Sequence, residues 1–143
     1  MVHIEAIQPK IRELAEKYGL SLVVLFGSQA AGQAHKESDF DVAYLSDKKI
    51  SFEEEIKINT ELTEIFRSDE VQLVNAKTAS PLLLKRIVQS AAVLYEQKPG
   101  FFTDLYLYAL RVYEDANILF NLQTDYITHK IENYKHARQK LTQ

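Results

Sequence analysis

Residues 20–26, LSLVVLF, form an apolar, β-branched run of strand length that does not alternate with polar positions. A strand apolar on every side must be covered on both faces, so this run predicts the central strand of a sheet with helices packed above and below it. Its flanks agree. Ile4, Ile7, Ile11, Leu14 and Tyr18 recur at helical spacing, with Gly19 where a helix stop is expected. After the run, Gly27-Ser28 breaks the strand, and the small residues Ala30, Ala31 and Ala34 suggest a short helix or turn held tightly against the sheet.

The alternation of element types continues. Asp39 to Leu45 reads as a second strand and Ser46-Asp47-Lys48-Lys49 as a polar turn. Ser51 with Glu54 three residues later is a capping-box pattern. It opens a helix that ends near Arg67 and is expected to present Phe52, Ile56, Leu62, Ile65 and Phe66 on one broad face. Glu70 to Val74 reads as a third strand, Ser80-Pro81 as an N-cap with proline at the first helical position, and Ala92 to Glu96 as a short edge strand. The expected class is α/β (α+β), a small mixed sheet flanked by helices. Pro99-Gly100 then marks a boundary, giving a first domain over 1–98 and a helical C-terminal extension over 99–143 for packing and partner binding. This extension contains no glycine or proline beyond Gly100 and five of the eight tyrosines. Leu105, Ala109, Val112, Ala116 and Leu119 keep a 4-3-4-3 spacing, and Ile127, Ile131, Tyr134 and Leu141 resume it after a phase slip around residues 121–125. The first stripe reads as core, and the part from Tyr126 onward as the surface for gripping a partner.

Composition narrows the function. Seventeen Lys+Arg against 20 Asp+Glu give a net charge of -3, so no bulk positive field favours sequence-independent nucleic-acid binding. The absence of cysteine removes disulfides, thiolate metal sites and a cysteine nucleophile. No apolar leader or span is legible, and a cytoplasmic location is expected.

The chemistry is concentrated in Gly27-Ser28, ten residues, and Asp39-Phe40-Asp41, with both ends at the edges of strands. Residues i and i+2 of a strand point to one side, so Asp39 and Asp41 present two carboxylates together while Phe40 turns to the core. Paired hard-oxygen ligands suit Mg²⁺ ions bridging nucleotide phosphates. Gly27 allows a sharp turn and close approach of backbone to a ligand, and Ser28 adds a hydroxyl and an amide that favour an anion.

The stretch GSQAAGQAHKESDFDVAYL resembles the signature of the DNA polymerase β superfamily of nucleotidyltransferases, in particular its minimal members, the MNT proteins. Gly32 and Ser38 also fall where those sequences have Gly and Ser, the element order matches over residues 1–96, and the tail VYEDANILFNLQTDYITHKIENY resembles the helical extension of MNT antitoxins paired with HEPN toxins. The resemblance implies the polymerase β-like nucleotidyltransferase fold and transfer of AMP from ATP to a tyrosine hydroxyl of a HEPN ribonuclease toxin, with pyrophosphate released. By the same resemblance Asp39 and Asp41 hold Mg²⁺, Gly27 and Ser28 hold the β and γ phosphates, and the chain forms a hetero-oligomer with the toxin.

One position departs from that pattern. Active members supply a third carboxylate from the next core strand, and here Gln72 of Val71-Gln72-Leu73-Val74 stands in its place. An amide is no general base and a weaker metal ligand. Glu70, on the same strand face, is a possible substitute set back by about 6 to 7 Å. Two other functions therefore stay open: a weak or inactive nucleotidyltransferase fold that neutralises the toxin by binding, and a small-molecule nucleotidyltransferase. His35, Lys36, Lys48 and Lys49 are further phosphate-contact candidates, while His129 and His136 read as surface.

Overall fold

The computed structural model describes residues 3–30 and 39–141. In chain order it runs α1 (Ile4–Tyr18), β1 (Leu20–Phe26), β2 (Phe40–Ser46), α2 (Phe52–Phe66), β3 (Val71–Asn75), α3 (Pro81–Gln89), β4 (Ala92–Glu96) and α4 (Phe101–Leu141). The four strands make one mixed sheet in the order β3-β2-β1-β4, with β1 antiparallel to both neighbours and β2 parallel to β3.

As its sequence demands, β1 is buried along its whole length, and its side chains divide between two cores. Val23 and Leu25 point into a core with α1 and α2, where Ile11, Leu14, Ile58 and Leu62 meet them. Leu22, Val24 and Phe26 point the other way, against Leu84, Ile87 and Val88 of α3 and Leu105 and Ala109 of α4. Leu20 breaks the alternation and joins the first core, because an irregularity between Leu20 and Leu22 shifts the register there.

Local signals set the helix ends. Gly19 closes α1 in the left-handed region at φ 70, its N–H returning to the Ala15 carbonyl. The Ser51 side chain accepts from the Glu54 amide and Glu54 reciprocates, a capping box that contributes about 1 kcal/mol to α2. The buried face of α2 differs from the expected one. Ile58, Leu62 and Phe66 are buried, whereas Phe52 and Ile56 are 76% and 51% exposed. Ile56 and Ile58 lie about 200° apart around the helix, so only one of them can face the sheet. Glu55, which accepts a 2.5 Å hydrogen bond from the buried Tyr44 hydroxyl, fixes which one does.

The C-terminal extension is a single helix of 41 residues, about 60 Å long. Its first three turns lie on α3, burying Leu105 and Ala109 and setting the Lys85 ammonium 3.9 Å from the centre of the Tyr113 ring. The expected core stripe stops there. Val112 and Ala116 are half-buried, and Leu119 and Phe120 are 61% and 65% exposed. The nine residues of α3 span only about 14 Å, which is too short to cover more of α4. Among the described residues, no helix is long and apolar enough to cross a membrane.

Candidate functional site

Antiparallel pairing of β1 with β2 brings the end of one strand beside the start of the other, with Phe26 the register partner of Asp41. Gly27 and the two aspartates, separated in sequence, thus meet at one end of the sheet. Asp39 lies just before β2 and Asp41 inside it. Between them, Phe40 is buried and stacks on Phe66 with ring centroids 4.7 Å apart, and its amide donates to the Glu70 carbonyl at 2.8 Å. With Phe40 pinned to the α2 side, strand alternation turns both aspartates to the side covered by α3.

The turn closes on the Asp41 carboxylate. Gly27 adopts φ 78, and a Cβ placed on it would lie 2.5 Å from Asp41 Oδ2. No side chain fits there, and an L-residue would also be strained by the positive φ. The Gly27 amide donates to Ser90 Oγ at 3.0 Å, and that hydroxyl donates to the Arg86 carbonyl at 3.1 Å, tying the turn to the end of α3. Ser28 is exposed at the head of the turn.

The electrostatics follow from crowding. Burial, reinforced by the negative charge of Asp39, holds the Asp41 carboxyl above the ordinary carboxylate range, and Arg86 opposes this only in part. A crowded pair of carboxylates, one of them partly buried, is a donor set that a divalent cation relieves. Mg²⁺ is satisfied by one or two carboxylates when phosphate oxygens and water complete its shell, so the residues present fit it. Among the described residues, no group of three or more His, Cys, Asp or Glu converges to hold a metal by protein ligands alone.

Gln72 belongs to the site. In the parallel register it is the partner of Asp41, and its Nε2 donates to Asp39 Oδ2 at 3.2 Å. Glu70 stands beside Asp39 one pleat back, its backbone carbonyl joined to Phe40.

The remaining candidates divide. Lys48 lies at the far end of β2, 3.6 Å from Glu54 and packed against Gly19, so it and Lys49 are remote from the turn and the aspartates. His35, Lys36, Gly32 and Ser38 fall outside the described residues, as do Ala31 and Ala34. His129 and His136 are exposed on α4. Arg86 and Ser90 were not anticipated. Their i,i+4 spacing puts them on one face of α3, but nothing local says that this face meets Gly27 and Asp41.

The family model described as polymerase beta, nucleotidyltransferase matches residues 9–100, stopping where α4 begins. No curated protein sequence matches the chain. Among solved structures, the chain is similar to one in a crystal structure of a toxin-antitoxin with AMP-PNP, at TM-score 0.71 and 23% identity over 85% of this chain and 98% of that one. It is also similar to a chain in the structure of the tri-AMPylated Shewanella oneidensis HEPN toxin in complex with MNT antitoxin, at TM-score 0.68 and 20% identity, covering 88% and 99%. A minimal nucleotidyltransferase aligns at TM-score 0.55 and 21% identity, covering 64% of this chain and 95% of that one. At these identities the likenesses speak for the fold.

Proposed function

The chain belongs to the polymerase β nucleotidyltransferase family, and from that premise we propose that it is an MNT-type antitoxin that transfers AMP from ATP to a tyrosine hydroxyl of a HEPN ribonuclease toxin. The observation that carries the reading is the meeting of Asp39 and Asp41 with the Gly27 turn at one end of the sheet. The structural neighbours support the toxin as partner, since one contains a HEPN toxin that is AMPylated and another AMP-PNP.

In this reading Asp39 and Asp41 hold Mg²⁺, while Gly27 and Ser28 line the β and γ phosphates. A cation bound there would neutralise triphosphate charge and make the α-phosphorus more electrophilic. The tyrosine oxygen attacks that phosphorus, the bond to the bridging oxygen breaks, pyrophosphate leaves with the electron pair and the phenol proton passes to water. The work of the chain is positioning and charge neutralisation. The exposed distal part of α4, with Ile127, Ile131 and Tyr134 on one side, is the surface we assign to the toxin.

A second reading has its own observation. Gln72 donates to Asp39 where a third carboxylate would stand, which favours an antitoxin that holds its toxin without modifying it. Incubation with the cognate toxin, Mg²⁺ and each NTP in turn, followed by intact mass analysis, separates the two. A gain of AMP units on the toxin is expected. A silenced toxin of unchanged mass in a stable complex would establish the binding-only antitoxin, and no complex and no mass change would remove both.

A further inference from the structure

The last turn of α3 is tied to the Gly27 side of the site. Ser90 takes the Gly27 amide at 3.0 Å and returns its own proton to the Arg86 carbonyl at 3.1 Å. One helical turn earlier, Arg86 lies on the helix face that carries Ser90 and is exposed there. The other α3 cation, Lys85, is engaged over the Tyr113 ring at 3.9 Å. Leu84, Ile87 and Val88 anchor the opposite side of the helix in the core, so the turn that carries Arg86 and Ser90 is rigidly seated.

A triphosphate arriving between the Gly27 turn and Asp39/Asp41 brings more negative charge to a place where two carboxylates already repel. The Gly27 amide is committed to Ser90, which leaves Ser28 as the donor on the turn, and a planar guanidinium offers several more with permanent charge. Resting on the nucleotidyltransferase reading above, we propose that Arg86 is a binding residue for the β and γ phosphates of the nucleotide, and that Ser90 is a positioning residue that locks the Gly27 turn to the helix carrying it. On nucleotide binding the Arg86 guanidinium takes up phosphate oxygens.

The experiment is calorimetric titration of the full chain, without toxin, with ATP and with AMP in the presence of Mg²⁺. Arg86→Gln is expected to weaken ATP binding about tenfold or more while leaving AMP binding unchanged, so that the ratio of the two affinities falls. Arg86→Lys should retain part of that ratio. Ser90→Ala should lower it several-fold, and Ser90→Thr, which keeps the hydroxyl, should restore it. A purely structural role would weaken both ligands together and leave the ratio unmoved, which overturns the assignment, as does unchanged ATP binding by Arg86→Gln. Failure of the unmodified chain to bind ATP would overturn both this inference and the enzymatic reading. An ATP-binding chain that leaves the toxin unmodified would remove only the latter.

Discussion

Replacing Asp41 with Asn is expected to reduce nucleotidyl transfer by about 100-fold or more, the scale seen when one preorganised charge-stabilising group is removed from an active site, while leaving the protein at least as stable as the parent. The two effects have one cause. Asp41 is held above the ordinary carboxylate range first by burial and then by the charge of Asp39. A group whose folded pKa is raised contributes its full stability below its unfolded value, and that contribution is lost as pH rises through the folded value. At neutral pH the ionised Asp41 therefore weakens the fold, and an uncharged isostere of the same size removes the penalty. Melting temperature at pH 7 should be equal or higher for Asp41→Asn, and the difference should shrink as the buffer is taken down into the carboxylate range, where the parent residue is itself protonated. Label transfer from ATP reads the first effect and thermal melts read the second. Wild-type transfer by Asp41→Asn would sink the assignment of this carboxylate, and a strongly destabilised variant would show that its role in the turn had been misjudged.

Gly27→Ala should be damaging for a different reason. The added methyl would lie 2.5 Å from Asp41 Oδ2 while the backbone sits at φ 78. Either the carboxylate swings away or the turn opens and gives up its hydrogen bond to Ser90. The positive φ alone costs an L-residue about 1 to 2 kcal/mol. Relaxation of the contact moves a proposed metal ligand by something near 1 Å, a misplacement that costs about 100-fold in rate. Transfer to the toxin should fall by that order and the melting temperature should drop as well. The contrast with Asp41→Asn is the useful check, since both lose activity but they move stability in opposite directions. Full activity in Gly27→Ala would mean that the turn does not shape the site.

The sequence was informative wherever the relevant neighbours are close along the chain. Two-residue alternation placed Phe40 in the core between two same-sided aspartates, and the structure adds its stack on Phe66. The helix ends at Gly19 and Ser51 follow from backbone rules that act within one turn. Amphipathic arcs were less certain guides. Phe52 and Ile56 are as apolar as the residues that α2 buries, and hydropathy does not say which of two arcs meets the sheet. For α4 the stripe of apolar residues was legible, but its burial depended on the length of α3, which covers only the first turns.

By itself, then, the sequence determined the order of elements, the doubly covered central strand, the pairing of Asp39 with Asp41 and the break at Gly27-Ser28. Each of these is written in spacings of two to four residues. Tertiary structure alone decided what those groups face. The antiparallel register of β1 and β2 presses Gly27 against Asp41, the parallel register of β2 and β3 sets Gln72 opposite Asp41 with its amide on Asp39, and the docking of α3 delivers Ser90 to an amide 63 residues away. Such meetings depend on cross-strand register and on which face of a helix is driven into the core, and both are fixed by the packing of the whole domain rather than by any local run of residues.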